Sequence, residues 1–148
     1  MAKRAVAKPA VKTSRWVWLA LVLAGLAVAA LIFATMQGAT KQEVLAREIS
    51  VAQAAELRDQ GVFILDVRTR EEWNQFHVPD STLIPLDELP GRVSELPKDQ
   101  PIVVVCRSGN RSQSGRDILV EAGFTEVSSM TGGLTEWQRL GYPTVTGP

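Results

Sequence analysis

The sequence predicts an α/β domain built on a mainly parallel sheet flanked by helices, with one transmembrane helix ahead of it. Three observations predict this. Short β-branched runs alternate with helical segments that end at glycines, the pattern of strands joined by helical crossovers. Residues 16–36 are apolar throughout except Gly25 and Thr35, enough helix to cross a hydrocarbon core of roughly 30 Å at about 1.5 Å per residue. The 148 residues include one cysteine, Cys106, and one histidine, His77. That excludes an intramolecular disulfide, a CxxC redox pair and a thiolate zinc cluster, and it leaves too few nitrogen ligands for a His-rich metal site.

Charge is uneven along the chain. Sixteen Lys and Arg cancel sixteen Asp and Glu, and zero net charge argues against a nucleic-acid binder. Yet Lys3, Arg4, Lys8, Lys12 and Arg15 precede the apolar stretch, and no acid appears before Glu43. Basic flanks stay in the cytoplasm, so residues 1–15 read as a cytoplasmic tail, residues 16–36 as a single-pass helix in a bacterial cytoplasmic membrane, and residues 37–48 as a linker. Residues 49–148 then form a periplasmic domain. A cleaved signal peptide is the alternative, but its apolar stretch would span only about 7 to 15 residues.

Each element of the domain has a local cause. Ser50 followed by Gln53 reads as a capping box, and the helix it starts runs over 51–60 until Gly61 stops it. The apolar run 62–67 suits a strand buried on both faces. A short helix follows at 70–75 and a brief strand at 82–84. Residues 86–96 read as helix interrupted by Pro90 and Gly91. Residues 102–105, Ile-Val-Val-Val after Pro101, are the most β-branched run and predict a central strand. A helix over 112–122 ending at Gly123, a strand at 126–130 and a helix at 134–140 complete the alternation.

Ligands of open α/β sheets bind beyond the carboxyl ends of the strands, and Cys106 stands at that end of the central strand. After it come Arg107, Ser108, Gly109, Asn110 and Arg111, then helix. A glycine-containing loop between strand and helix curls so that backbone N–H groups face one central atom. A cysteine there would be favoured as thiolate, its nucleophilic form, by those donors and by the two arginines. A buried cysteine without chemistry is the plain alternative; Gly109 and the arginines weigh against it.

At this point the domain resembles a single-domain rhodanese. The resemblance spans roughly residues 49–143 and rests on ordered motifs: Leu65-Asp66-Val67-Arg68, Glu71-Glu72-Trp73, His77-Val78-Pro79, Ile84-Pro85-Leu86, the loop from Val103 to Ser112, Gly123-Phe124, Gly132-Gly133, Trp137 and Gly141-Tyr142-Pro143. The family's common Gly-His-Ile-Pro-Gly-Ala segment is altered here at Phe76, Asp80 and Ser81.

The resemblance implies a sulfurtransferase, without cofactor or metal, in which Cys106 takes a sulfane sulfur from a small anionic donor such as thiosulfate. The resulting persulfide passes its sulfur to a thiol, cyanide or protein acceptor. Arg107, Ser108, Gly109, Asn110 and Arg111 would bind the donor, with Arg111 equally suited to hold the loop through a carboxylate. Asp66 and Arg68 read as a structural ion pair and His77 as scaffold. Trp73 and Trp137 read as core or pocket wall. Related phosphatases place five residues between cysteine and arginine, whereas four lie between Cys106 and Arg111, a smaller cradle suited to one sulfur. A binding module without catalysis, or a persulfide carrier for a protein partner, is the competing expectation. The lipid bilayer would be met through residues 16–36.

Overall fold

The structure, a computed structural model, describes Trp16, Trp18, residues 21–26 and residues 46–147. The described residues before position 27 are helical. The rest of the expected span, the basic tail and most of the expected linker lie outside the described residues. Among the described residues no helix is long and apolar enough to cross a membrane. The chain divides into two units, Met1–Glu43 and Val44–Pro148.

The elements of the second unit run β1 (Glu48–Ile49), α1 (Val51–Asp59), β2 (Phe63–Asp66), α2 (Arg70–Gln75), β3 (Thr82–Leu83), α3 (Leu89–Arg92) with a 3₁₀ turn over Val93–Glu95, β4 (Ile102–Val105), α4 (Asn110–Glu121), β5 (Val127–Met130) and α5 (Gly133–Arg139). Five strands pair in the order β1-β5-β4-β2-β3, all parallel. β4 lies at the centre, with Ile64 opposite Val103 and Val104 opposite Ser129. Helices cover both faces, so the central strand has no solvent face, and all four residues of β4 are buried.

Strand alternation divides the core in two. Ile64, Val103 and Val105 join Ala54, Ala55, Met130, Leu134 and Trp137 on one face. Leu65, Ile102 and Val104 join Leu89, Leu119 and Phe124 on the other, and Cys106 belongs to that second cluster. α1 begins at the expected capping box: Ser50 Oγ accepts from the Gln53 N–H, and Gln53 Oε1 accepts from the Ser50 N–H at 2.9 Å.

Several boundaries differ from expectation for physical reasons. The expected helix over 86–96 is only α3 plus a 3₁₀ turn; Pro90 has no N–H to bond backwards, which suits it to the first turn of α3 and to no later position. α4 begins two residues earlier than expected, because Gly109 at φ 103° turns the chain straight into helix. Arg111 therefore sits in a helical first turn. β1 begins at Glu48, inside the segment read as linker; two residues at a sheet edge leave no alternating pattern to read. Asp80 adopts φ 63°, the only non-glycine in that region among the described residues. Phe76 is simply extended at φ −170°.

Candidate functional site

The carboxyl ends of β2, β4 and β5 come side by side, and each leads into a loop that helps to build one cradle. Cys106 follows β4 directly and is 1% exposed. Its Sγ accepts a hydrogen bond from the Gly109 N–H at 3.1 Å. Arg107, Ser108 and Asn110 are exposed around the rim, while Gly109 and Ser112 are buried beneath it. Ser112 Oγ donates to the Gly109 carbonyl at 2.6 Å, tying the loop to the helix that follows.

The first turn of α5, just after β5, holds this loop in place by backbone contact. Leu134 N–H donates to the Cys106 carbonyl at 2.8 Å and Thr135 N–H to the Arg107 carbonyl at 3.0 Å. Two glycines permit the approach. A Cβ on Gly133 would stand 2.5 Å from the carbonyl of Arg107 and the nitrogen of Ser108, and a Cβ on Gly109 would stand 3.2 Å from Gly132 N. Both also have positive φ, where side chains are strained.

The two arginines have different surroundings. Arg111 makes a two-pronged ion pair with Glu72 of α2, at 2.7 and 2.8 Å. Glu72 is also the capping-box residue of α2, accepting from the Thr69 N–H at 3.2 Å. Hydrogen bonding from Arg111 holds the Glu72 carboxyl down at about 2. The same contact raises Arg111. Arg107 is exposed and makes no ion pair among the described residues.

Asp66 and Arg68 form a fully buried pair, Arg68 Nη2 reaching Asp66 Oδ2 at 2.7 Å and Nε reaching the same oxygen at 2.8 Å. Arg68 also donates to the carbonyls of Phe76 at 2.7 Å and Glu72 at 3.3 Å. The charge is thus satisfied on every side, as buried charges must be. Beside the loop opens a cleft of about 400 Å³ with Thr69, Pro85, Leu86, Asp87 and Arg111 in its walls. Among the described residues no cluster of side chains is suited to a metal ion.

A cysteine-bearing loop on the central parallel strand is the arrangement expected of the sequence's motifs, and comparison with known proteins decides the family. The rhodanese-like domain matches residues 50–140. The chain belongs to the rhodanese-like family. It is 39% identical over 100 residues to the thiosulfate sulfurtransferase GlpE of Pseudomonas syringae, covering 68% of this chain and 93% of that protein. It is 39% identical over 84 residues to a sulfurtransferase of Allochromatium vinosum, covering 57% of this chain and 78% of that one. The crystal structure of a rhodanese-related protein from Thermoplasma volcanium superposes with a TM-score of 0.63 at 31% identity, covering 68% of this chain and 98% of the other.

Within this rhodanese-like domain the remaining expected residues fall outside the loop. His77 is buried and stacks on Trp73, with ring centroids 3.7 Å apart, and its Nδ1 lies 3.2 Å from the Trp73 carbonyl. Its backbone pairs with Val145 in both directions. Trp137 is core, donating from Nε1 to the Pro143 carbonyl at 3.0 Å. Two participants escaped sequence reasoning. Glu72 stands at the third position of a Thr69 capping box, a local signal in the sequence, but nothing in the sequence pairs it with a residue thirty-nine positions away. Gly133 was legible as half of a Gly-Gly pair, while its contact with the loop is purely tertiary.

Proposed function

We propose that this rhodanese-like domain is a sulfurtransferase that carries sulfane sulfur on Cys106, with thiosulfate or a similar small anion as donor. One observation carries the reading: a single thiol closes the central strand under a loop whose N–H already donates to its sulfur. Relatives named thiosulfate sulfurtransferase support the choice of donor. The Cys106 thiolate attacks the outer sulfur of thiosulfate, an S–S bond forms, the bond to the sulfonate sulfur breaks, and sulfite leaves with the electron pair. The new terminal sulfur lies about 2 Å beyond Sγ, toward the backbone donors of residues 107–111, which stabilise its charge. The acceptor then attacks that sulfur and the Cys106 thiolate leaves. Cyanide as acceptor yields thiocyanate.

The full chain incubated with thiosulfate gains the mass of one sulfur and releases an equivalent of sulfite; the Cys106→Ser chain does neither. Sulfur transfer by Cys106→Ser would overturn the mechanism. Absence of uptake from any donor, with capture of one specific protein, would favour a binding module.

The domain is anchored by residues 16–36 in a bacterial cytoplasmic membrane, with the N-terminus in the cytoplasm and the domain in the periplasm. The basic residues ahead of the span support that orientation, and Trp16 and Trp18 fit an interfacial aromatic belt at its start. A small membrane-impermeant thiol label that modifies Cys106 in lysed cells then modifies it to the same extent in intact cells. Labelling only after lysis would reverse the orientation.

A further inference from the structure

Resting on the sulfurtransferase reading, we propose that Glu72 is a positioning residue that sets the donor charge the site prefers. It does so by neutralising Arg111, so that Arg107 supplies the net positive charge of the loop. The sequence places two cations in the loop, but the structure gives them unequal roles. Arg111 is closed on both prongs by Glu72, whereas Arg107 stands exposed with no carboxylate partner among the described residues.

Glu72 is itself held in place. Its carboxylate caps α2 through the Thr69 N–H, and its backbone carbonyl accepts from the buried Arg68. An acid fixed by its own helix start and by a buried arginine is a rigid counter-charge rather than a passing surface contact. The pair also stands beside the cysteine loop itself, since Arg111 lies in the first turn of α4, directly after the loop that Cys106 opens. Asp66 is already paired with Arg68. Asp87, which shares the cleft wall with Arg111, contributes the same charge whichever residue stands at position 72.

A charge-series experiment on the full chain tests this. The donors are thiosulfate with two negative charges, an alkanethiosulfonate with one, and an uncharged organic polysulfide. Glu72→Gln keeps the shape and a hydrogen bond but uncovers the Arg111 charge. The KM for thiosulfate then falls about three- to tenfold relative to that for the uncharged donor, and the advantage shrinks at high salt. Arg111→Gln, which uncovers Glu72, shifts the ratio the opposite way. Glu72→Gln combined with Arg111→Gln restores the wild-type ratio, because the pair contributes no net charge in either chain. Glu72→Asp stays within about twofold of wild type.

A purely structural pair would instead lower the rate with all three donors alike, and the double variant would be at least as impaired as either single one. That pattern would overturn the proposal. If no donor loads Cys106, the sulfurtransferase reading fails separately. Calorimetric binding of sulfite to Cys106→Ser chains carrying the same changes at 72 and 111 then still ranks their anion affinity, and equal affinities would overturn the role of Glu72.

Discussion

Gly133→Ala is the substitution with the sharpest structural expectation. The added Cβ would stand 2.5 Å from backbone atoms of Arg107 and Ser108, where ordinary contacts begin near 3.4 Å. The loop after β4 must therefore shift by roughly 1 Å, and no side chain can yield in its place because the obstruction is main chain. Positive φ costs a side chain about 1–2 kcal/mol, and overpacking adds about 1–3 kcal/mol, for a total of about 2–5 kcal/mol. The same shift stretches the bonds from Leu134 and Thr135 to the carbonyls of Cys106 and Arg107, so sulfur loading slows on the order of a hundredfold. Denaturant unfolding reads the first quantity and stopped-time mass spectrometry of sulfur uptake the second. Gly141→Ala separates the two causes, since Gly141 has φ 76° but open space around its missing Cβ. It should lose about 1–2 kcal/mol and leave loading unaffected. If Gly133→Ala unfolds like Gly141→Ala and loads sulfur at the wild-type rate, the backbone contact does not hold the loop.

Three further outcomes are expected from the buried charges and the backbone. Arg68→Ala leaves the Asp66 carboxylate and the Phe76 carbonyl without their partner, and unfolding should become easier by about 3–5 kcal/mol; a loss below about 1 kcal/mol would contradict the buried pair. Because Glu72 is depressed from 4.5 to about 2 in the folded chain, its contribution is complete above the unfolded value and drains away as pH falls from about 5 toward 2. Acid titration of unfolding should show that drop in wild type and a flatter curve in Glu72→Gln. Asp80→Gly removes a side chain from φ 63°, and the relieved strain, partly offset by the freer unfolded glycine, should change stability by no more than about 1 kcal/mol in the favourable direction; a clear loss in melting experiments would show that the Asp80 side chain supports the loop.

What the sequence made legible reflects the range of the forces involved. Capping boxes, β-branched runs and stop glycines are local, so α1 starts and β4 lies where expected. Cys106 was legible because a strand, a glycine and two arginines stand within a few residues of it. The start of α4 was not, since only the positive φ of Gly109 reveals that helix begins at once and takes Arg111 with it. β1 was hidden because its identity as a strand comes from pairing with β5, not from its two residues. Arg111 was left between donor binding and loop support; its carboxylate partner became visible only when α2 was packed beside the loop. Asp80 shows the converse: losing a glycine from the family's segment did not change the need for positive φ, and aspartate, which tolerates that region better than most residues, fills it.

Whether Cys106 carries the transferred sulfur is tested most directly by the intact mass of the full chain after incubation with thiosulfate, followed by cyanide. A gain of one sulfur atom on Cys106 is expected, with equimolar sulfite in solution, and then a return to the original mass with one thiocyanate released. A wild-type mass that never changes while thiocyanate still forms, or a sulfur that appears equally on the Cys106→Ser chain, would contradict a Cys106 persulfide.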